Sequence, residues 1–321
     1  VEMIEPRYLP IIAYADGWSE STAGELVGAP VLVGDKSPDQ VDAMKASLKG
    51  AIVLTAPLFD NFVRKDRPNP SDAAYQANGA AYATSVGRAA APRPQGETPA
   101  QRTARILREA GAGVLLKPTI GEHGTVFVTG RDGGPGAVPS LSIASEHYNM
   151  LLRYASRGIP VKLRVRAQTQ FFDADGGNAY NVLAELPGTD PALKDEVVMI
   201  GGHLDSWHTG VGATDNADGS TTMMEAMRIL KAVGAQPRRT IRVALWGGEE
   251  QGLLGSAAWV QQHLAGDANK AARDTFDVYF NSDNGYGPIY GFYLENSQAN
   301  VPVFERWLAP LKTCLLYTSD A

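Results

Sequence analysis

Six residues of this chain have side chains that bind divalent cations or move protons: His203, Asp205, Asp215, Glu249, Glu250 and Asp283. They lie in the segments GGHLDSW, GATDN, WGGEEQGLLGS and NSD, three of which follow apolar runs. Imidazole and carboxylate groups are the ligands that zinc takes, and metal-assisted hydrolysis needs one further carboxylate as a base. His203 and Asp205 are two residues apart, so on extended backbone they face the same way. The Asp205 carboxylate can then accept the second N–H of the imidazole and fix its tautomer, which reads as a partner of His203 rather than a ligand. Asp215 stands at the mouth of a helix, where an aspartate either caps the helix or bridges two cations. Glu249 and Glu250 are adjacent at a strand-to-helix turn, so one can bind metal while the other works as general base. A glutamate pair is also favourable in the first turn of a helix without any metal, and the same holds for Asp283 standing alone. Gly201, Gly202, Gly247 and Gly248 precede the reactive groups in both strands and permit close backbone approach.

The elements that must position these residues are legible in the apolar pattern. Val197 to Gly201, Thr240 to Trp246 and Thr275 to Phe280 read as buried strands, each ending at an ionisable cluster. Between them, Asp215 to Val233 reads as a helix entry and helix, with Met223, Met227, Leu230 and Val233 at three- and four-residue steps. Asn216, Asp218 and Ser220 supply capping chemistry at its start. A second helix is expected over Leu253 to Leu264. Alternating strands and helices predict a mostly parallel central sheet covered by helices, and such sheets bind ligands at the carboxyl ends of their strands. Before residue 170 the pattern changes. Short strand runs (Leu48 to Ala56, Ala110 to Lys117, Val138 to Ile143) and helices (Pro38 to Ser47, Pro99 to Glu109, Ser145 to Arg157) predict a smaller α+β unit, with a long loop over about 66–98.

Composition narrows the class. The 321 residues are 44% hydrophobic, enough to fill more than one core. A formal net charge of −6 argues against nucleic acid or an anionic membrane as partner. No apolar run approaches the roughly 18 to 20 residues that span a bilayer. Cys314 is the single cysteine, so neither an intrachain disulfide nor a cysteine-based zinc module is available.

In combination, GGHLDSW, GATDN and ALWGGEEQGLLGS resemble the co-catalytic zinc exopeptidase family, which includes bacterial aminopeptidases and plasma glutamate carboxypeptidase. The likeness covers roughly residues 170–310, and the earlier part resembles the protease-associated domain inserted in some members. It implies residues 1–21 as a peptidase-domain segment, 22–170 as the inserted domain and 171–311 as part of the peptidase domain. It also implies His203 and Asp283 as ligands of one zinc, Asp215 as the bridge between two Zn2+, Glu250 as a ligand of the second, and Glu249 as general acid/base. Asp205 becomes the partner of His203, and the Asp215–Asn216 peptide bond is expected to be cis. The implied substrate is a short peptide, hydrolysed by an aminopeptidase- or dipeptidase-type reaction, and the implied address is secreted or periplasmic. A receptor-like, non-catalytic homologue of the same fold is the alternative, disfavoured because the five acidic and histidine ligands and base are all present. A glutaminyl cyclase is disfavoured by the inserted domain.

The chain departs from the family at two points. The second zinc is expected to take a histidine near the family's C-terminus, but the five histidines, His123, His147, His203, His208 and His263, all precede Asp283. The resemblance fades over 312–321 (KTCLLYTSDA), which reads as an atypical, artefactual tail. The expectation is therefore a fragment of low or absent activity with an incomplete second zinc site. His208, where relatives carry an acidic residue, is expected to face solvent.

Overall fold

The computed structural model describes residues 1–59, 96–121, 123–130, 133–172, 176–283 and 298–311, with Gly285, Gly287 and Phe292. The loop expected over 66–98 falls almost wholly outside these residues, as does the tail 312–321. Residues 1–64 and 99–285 form one compact unit and residues 65–98 and 286–321 a second. The described part of the second contains the helix Val301–Leu308, with Pro302 in its first turn.

In chain order the first unit opens with β1 (Glu2–Glu5), β2 (Leu9–Pro10), β3 (Ala13–Ala15), β4 (Leu26–Gly28), β5 (Val31–Leu32), α1 (Pro38–Ala43) and β6 (Ile52–Leu54). It continues with α2 (Pro99–Glu109), β7 (Val114–Pro118), β8 (Ser140–Ile143), α3 (Ser145–Ser156) and β9 (Lys162–Val165). Two sheets result, ordered β2-β1-β9-β4 and β3-β8-β7-β6-β5. The first is antiparallel throughout, and in the second β5 to β8 run parallel. Strand alternation divides the cores: Ile52 and Leu54 point into a cluster with Met3, Leu163 and Tyr148, while Val53 points the other way toward Val41, Ile106 and Leu107. Residues 2–15 thus pair into the sheets of the α+β part, Glu2 opposite Arg164 and Ala13 opposite Ile143.

The remainder carries the predicted alternation: β10 (Val182–Leu186), β11 (Val197–His203), α4 (Asp218–Ala232), β12 (Thr240–Trp246), α5 (Leu254–His263), α6 (Lys270–Asp274) and β13 (Phe276–Asn281). The sheet order is β10-β12-β11-β13, with β11, β12 and β13 parallel and β10 an antiparallel edge. The fold is α/β, with a mostly parallel sheet and helices following an α+β part. Met199, Ala244, Trp246 and Trp259 form its core, with Tyr279 and Phe276 against them.

Regular helix begins at Asp218, after the entry expected from Asp215. Asp215 and Asn216 have non-helical dihedrals (φ −123°, ψ 93° and φ −135°, ψ 38°), and the bond between them is cis. Asn216 caps the helix from outside, its Oδ1 accepting from Gly219 N at 3.1 Å while its Nδ2 donates to Ser282 O at 2.8 Å. The helix start can crowd the ends of β11 and β13 only because Gly219 has no side chain: a Cβ there would lie 2.1 Å from Ser282 O. Ser220 Oγ completes the junction by donating to His203 O at 2.7 Å. Among the described residues no helix is long and apolar enough to cross a membrane.

Candidate metal centre

Each of the three parallel strands delivers its acid or imidazole to the same edge. β11 ends in His203, β12 leads into Glu249 and Glu250, and β13 is followed by Asp283. The imidazole of His203 is buried, 2% exposed, and three carboxylates face its Nε2: Asp215 Oδ1 at 3.0 Å, Asp283 Oδ1 at 3.3 Å and Glu249 Oε2 at 3.9 Å. His203, Asp215 and Asp283 each offer one ligand atom, and these atoms lie within 4.8 Å of one another.

The other ring nitrogen decides what this arrangement can hold. Nδ1 lies 2.9 Å from the backbone carbonyl of Asp205, which can only accept, so Nδ1 carries the proton. In the neutral ring Nε2 then presents a lone pair to three carboxylates. Such a group of electron pairs is repulsive unless a cation, a proton or a metal, sits among them. The donor set therefore fits a divalent metal that takes nitrogen and oxygen ligands.

Asp205 does something the spacing alone did not reveal. Its carboxylate is 3.6 Å from His203 Nδ1, while Oδ1 accepts from Glu249 N at 3.0 Å and Oδ2 from Glu250 N at 3.1 Å. It holds the Glu249–Glu250 turn, and its own backbone carbonyl orients the imidazole. Glu250 faces the charge of Asp215, and the side chain of Trp207 lies near its carboxylate. Sequence reasoning passed over Trp207, whose only sequence signal is its place in GGHLDSW. His208 is exposed, as expected, and its Nε2 bonds Ala15 O at 2.9 Å. His147 Nδ1 accepts from Ile12 N, and His263 stacks on Trp259, so neither belongs to the cluster.

The electrostatics of the metal-free cluster follow from burial opposed by charge. Burial lowers the pKa of His203, but Asp283, Glu249 and Asp205 outweigh it and raise it to about 9. Glu249 is raised by burial and by Asp283, Asp205 and Asp215, although His203 opposes this; Glu250 is raised by burial, then by Asp215 and Glu249. A raised folded-state pKa means that the protonated imidazole stabilises the fold. That contribution is complete below about 6.5, the ordinary value for histidine, and is lost as pH rises through about 9. The chelator-treated protein is accordingly expected to lose stability between pH 6.5 and 9, and a His203→Ala variant to lack that slope. Urea unfolding across this range checks it, and identical slopes in the two proteins would refute it.

Residues 181–315 match the family described as Peptidase family M28. Carboxypeptidase Q of Homo sapiens is 30% identical over 311 residues, 97% of this chain and 58% of that protein. An aminopeptidase of Pseudomonas aeruginosa is 40% identical over 115 residues, 36% of this chain and 20% of that one. A peptidase M28 precursor from Shewanella amazonensis has a similar fold, with a TM-score of 0.60 at 24% identity over 97% of this chain and 64% of that structure. The chain spans about half the length of the curated relatives it matches. Over residues 181–315 the chain is thus similar to peptidase family M28, and over most of its length to carboxypeptidase Q.

Proposed function

We propose that the protein containing this chain is a zinc-dependent exopeptidase that hydrolyses short peptides, of aminopeptidase or dipeptidase type. The observation that carries the reading is the convergence of three carboxylates on the buried Nε2 of His203, whose Nδ1 is committed to a carbonyl. The names of the relatives, carboxypeptidase Q and aminopeptidase, support peptide-bond hydrolysis. The secreted or periplasmic address implied by the resemblance belongs to the same proposal.

His203 and Asp283 would hold one Zn2+, Asp215 would be shared, and Glu250 would hold a second. Bound zinc supplies a Lewis acid that polarises the scissile carbonyl and makes water nucleophilic near neutral pH. Glu249 is the base. Its Oε2 lies at the edge of the cluster, and its raised pKa suits it to take a proton from the attacking water and return it to the leaving nitrogen. Asp205 keeps Glu249 and Glu250 on their separate sides by holding both backbone N–H groups.

Replacing the shared ligand tests the metal reading. Asp215→Ala is expected to lower zinc content to less than half that of the parent chain after dialysis against micromolar zinc. Zinc per chain, measured by elemental analysis, gives the answer. Equal zinc in both proteins would remove Asp215 from the ligand set.

A further inference from the structure

We propose that Asn216 is a positioning residue for the metal centre, its buried side-chain amide setting the spacing between Asp215 and Asp283. The inference rests on the reading of these two aspartates as zinc ligands and adds a residue that acts through the backbone of their neighbours.

The two aspartates hang from different elements, Asp215 from the entry to α4 and Asp283 from the chain leaving β13. Both carboxylates face one imidazole nitrogen, at 3.0 and 3.3 Å, and the Asp215 side chain is 69% exposed, so packing does little to hold it there. Like charges this close repel, and their spacing must come from the backbone that carries them. Asn216 follows Asp215, and Ser282 precedes Asp283. The Asn216 side chain is buried and joins the two segments: Nδ2 donates to Ser282 O at 2.8 Å, while Oδ1 accepts from Gly219 N at 3.1 Å. Gly219 N–H can only donate and the Ser282 carbonyl can only accept, which fixes the orientation of the amide. Ser282 is held from its other side by β11, its N donating to Gly201 O at 2.9 Å. The residue before Asp283 is thus tied both to the strand that ends in His203 and to the residue after Asp215. Gly202 leaves the room for this: a Cβ there would lie 3.1 Å from Asn216 Nδ2 and 3.2 Å from Ser282 O.

The chemistry explains the residue type. Asparagine carries a donor and an acceptor on one short, uncharged side chain, as a junction between an N–H and a carbonyl requires. An aspartate would still accept from Gly219 N but would set an oxygen against Ser282 O. An alanine would leave both backbone groups without their partner in a buried place. Groups one step out from the ligands typically tune metal affinity by about 10- to 100-fold.

Zinc titrations against a competing chelator, made on the 321-residue chain with the visible spectrum of bound Co2+ as a second readout, test the inference without relying on activity. Asn216→Ala is expected to weaken zinc binding about 10- to 100-fold and to change the Co2+ spectrum, which follows the coordination geometry. Gly202→Ala keeps the amide but places a Cβ 3.1 Å from Nδ2, so a smaller loss of the same kind is expected. It decides the matter if Asn216→Ala does not fold. Val243→Ala, a truncation of a buried residue of β12, separates positioning from stability. It is expected to lower the unfolding midpoint in urea while keeping the zinc affinity and Co2+ spectrum of the parent. Parent affinity and spectrum in folded Asn216→Ala, or in Gly202→Ala where Asn216→Ala does not fold, would overturn the inference, as would the same changes in Val243→Ala. Asp283→Ala tests the reading beneath. If it binds zinc as the parent does, Asp283 is no ligand and that reading fails; if it loses zinc while Asn216→Ala does not, only the inference fails.

Discussion

Glu249→Gln is expected to abolish most hydrolysis while leaving the zinc in place. In an active protein carrying this sequence, kcat on dipeptide substrates should fall by about 10²- to 10⁴-fold, the usual contribution of a general base. That corresponds to about 3 to 5 kcal/mol of transition-state stabilisation. Glutamine has the same shape and keeps the backbone N–H that Asp205 Oδ1 holds at 3.0 Å, so the turn is preserved. What is lost is the ability to take a proton at Oε2, the atom 3.9 Å from His203 Nε2. The convergent ligand atoms belong to His203, Asp215 and Asp283, so zinc content should remain at the parent level. Unchanged kcat would refute the role of Glu249 as base. Loss of zinc would make Glu249 a ligand instead.

The three parallel strands were readable because each is a buried apolar run that stops at an ionisable residue, a pattern produced by the chemistry of a sheet edge. β11, β12 and β13 begin or end within one or two residues of their expected bounds. The candidate residues His203, Glu249, Glu250 and Asp283 follow from the same strand ends, Asp215 from the helix entry, and the resemblance implies their separate roles. What escaped reading depends on partners distant in sequence. β10 has mostly exposed residues and is a strand because Val182 to Leu186 pair with Leu245 to Ile241 across a long connection. The two- to four-residue strands in residues 2–15 carry no usable period, and they exist through pairing with β2, β8 and β9. Regular helix starts at Asp218, inside the helix entry and helix expected over Asp215 to Val233, because Asp215 and Asn216 keep non-helical dihedrals. Trp207 is the extreme case: its ring lies against Gly17, 190 residues before it.

Asp205→Asn separates two roles that spacing alone could not distinguish. If the carboxylate oriented His203, the amide would disturb the imidazole and zinc would be lost from the His203–Asp215–Asp283 group. In the structure that orientation comes from the backbone carbonyl of Asp205, 2.9 Å from Nδ1, which the substitution retains. The carboxylate is instead occupied by two backbone N–H groups, those of Glu249 and Glu250. Asparagine can accept one of them, but it turns an NH2 donor toward the other, leaving an unsatisfied donor next to the base. A lost hydrogen bond to a charged group costs about 1.5 to 3 kcal/mol, so the unfolding midpoint in urea should fall measurably. kcat should drop by about 10- to 100-fold as Glu249 loses its fixed position, the order of loss that follows from misplacing a catalytic group by about 1 Å. Zinc bound through His203 should be retained. Retained zinc with a large loss in kcat would mark Asp205 as the residue that holds the two glutamates apart. Zinc loss with an intact fold would return it to the role of histidine partner, and the geometry of the Glu249–Glu250 turn would then need another source.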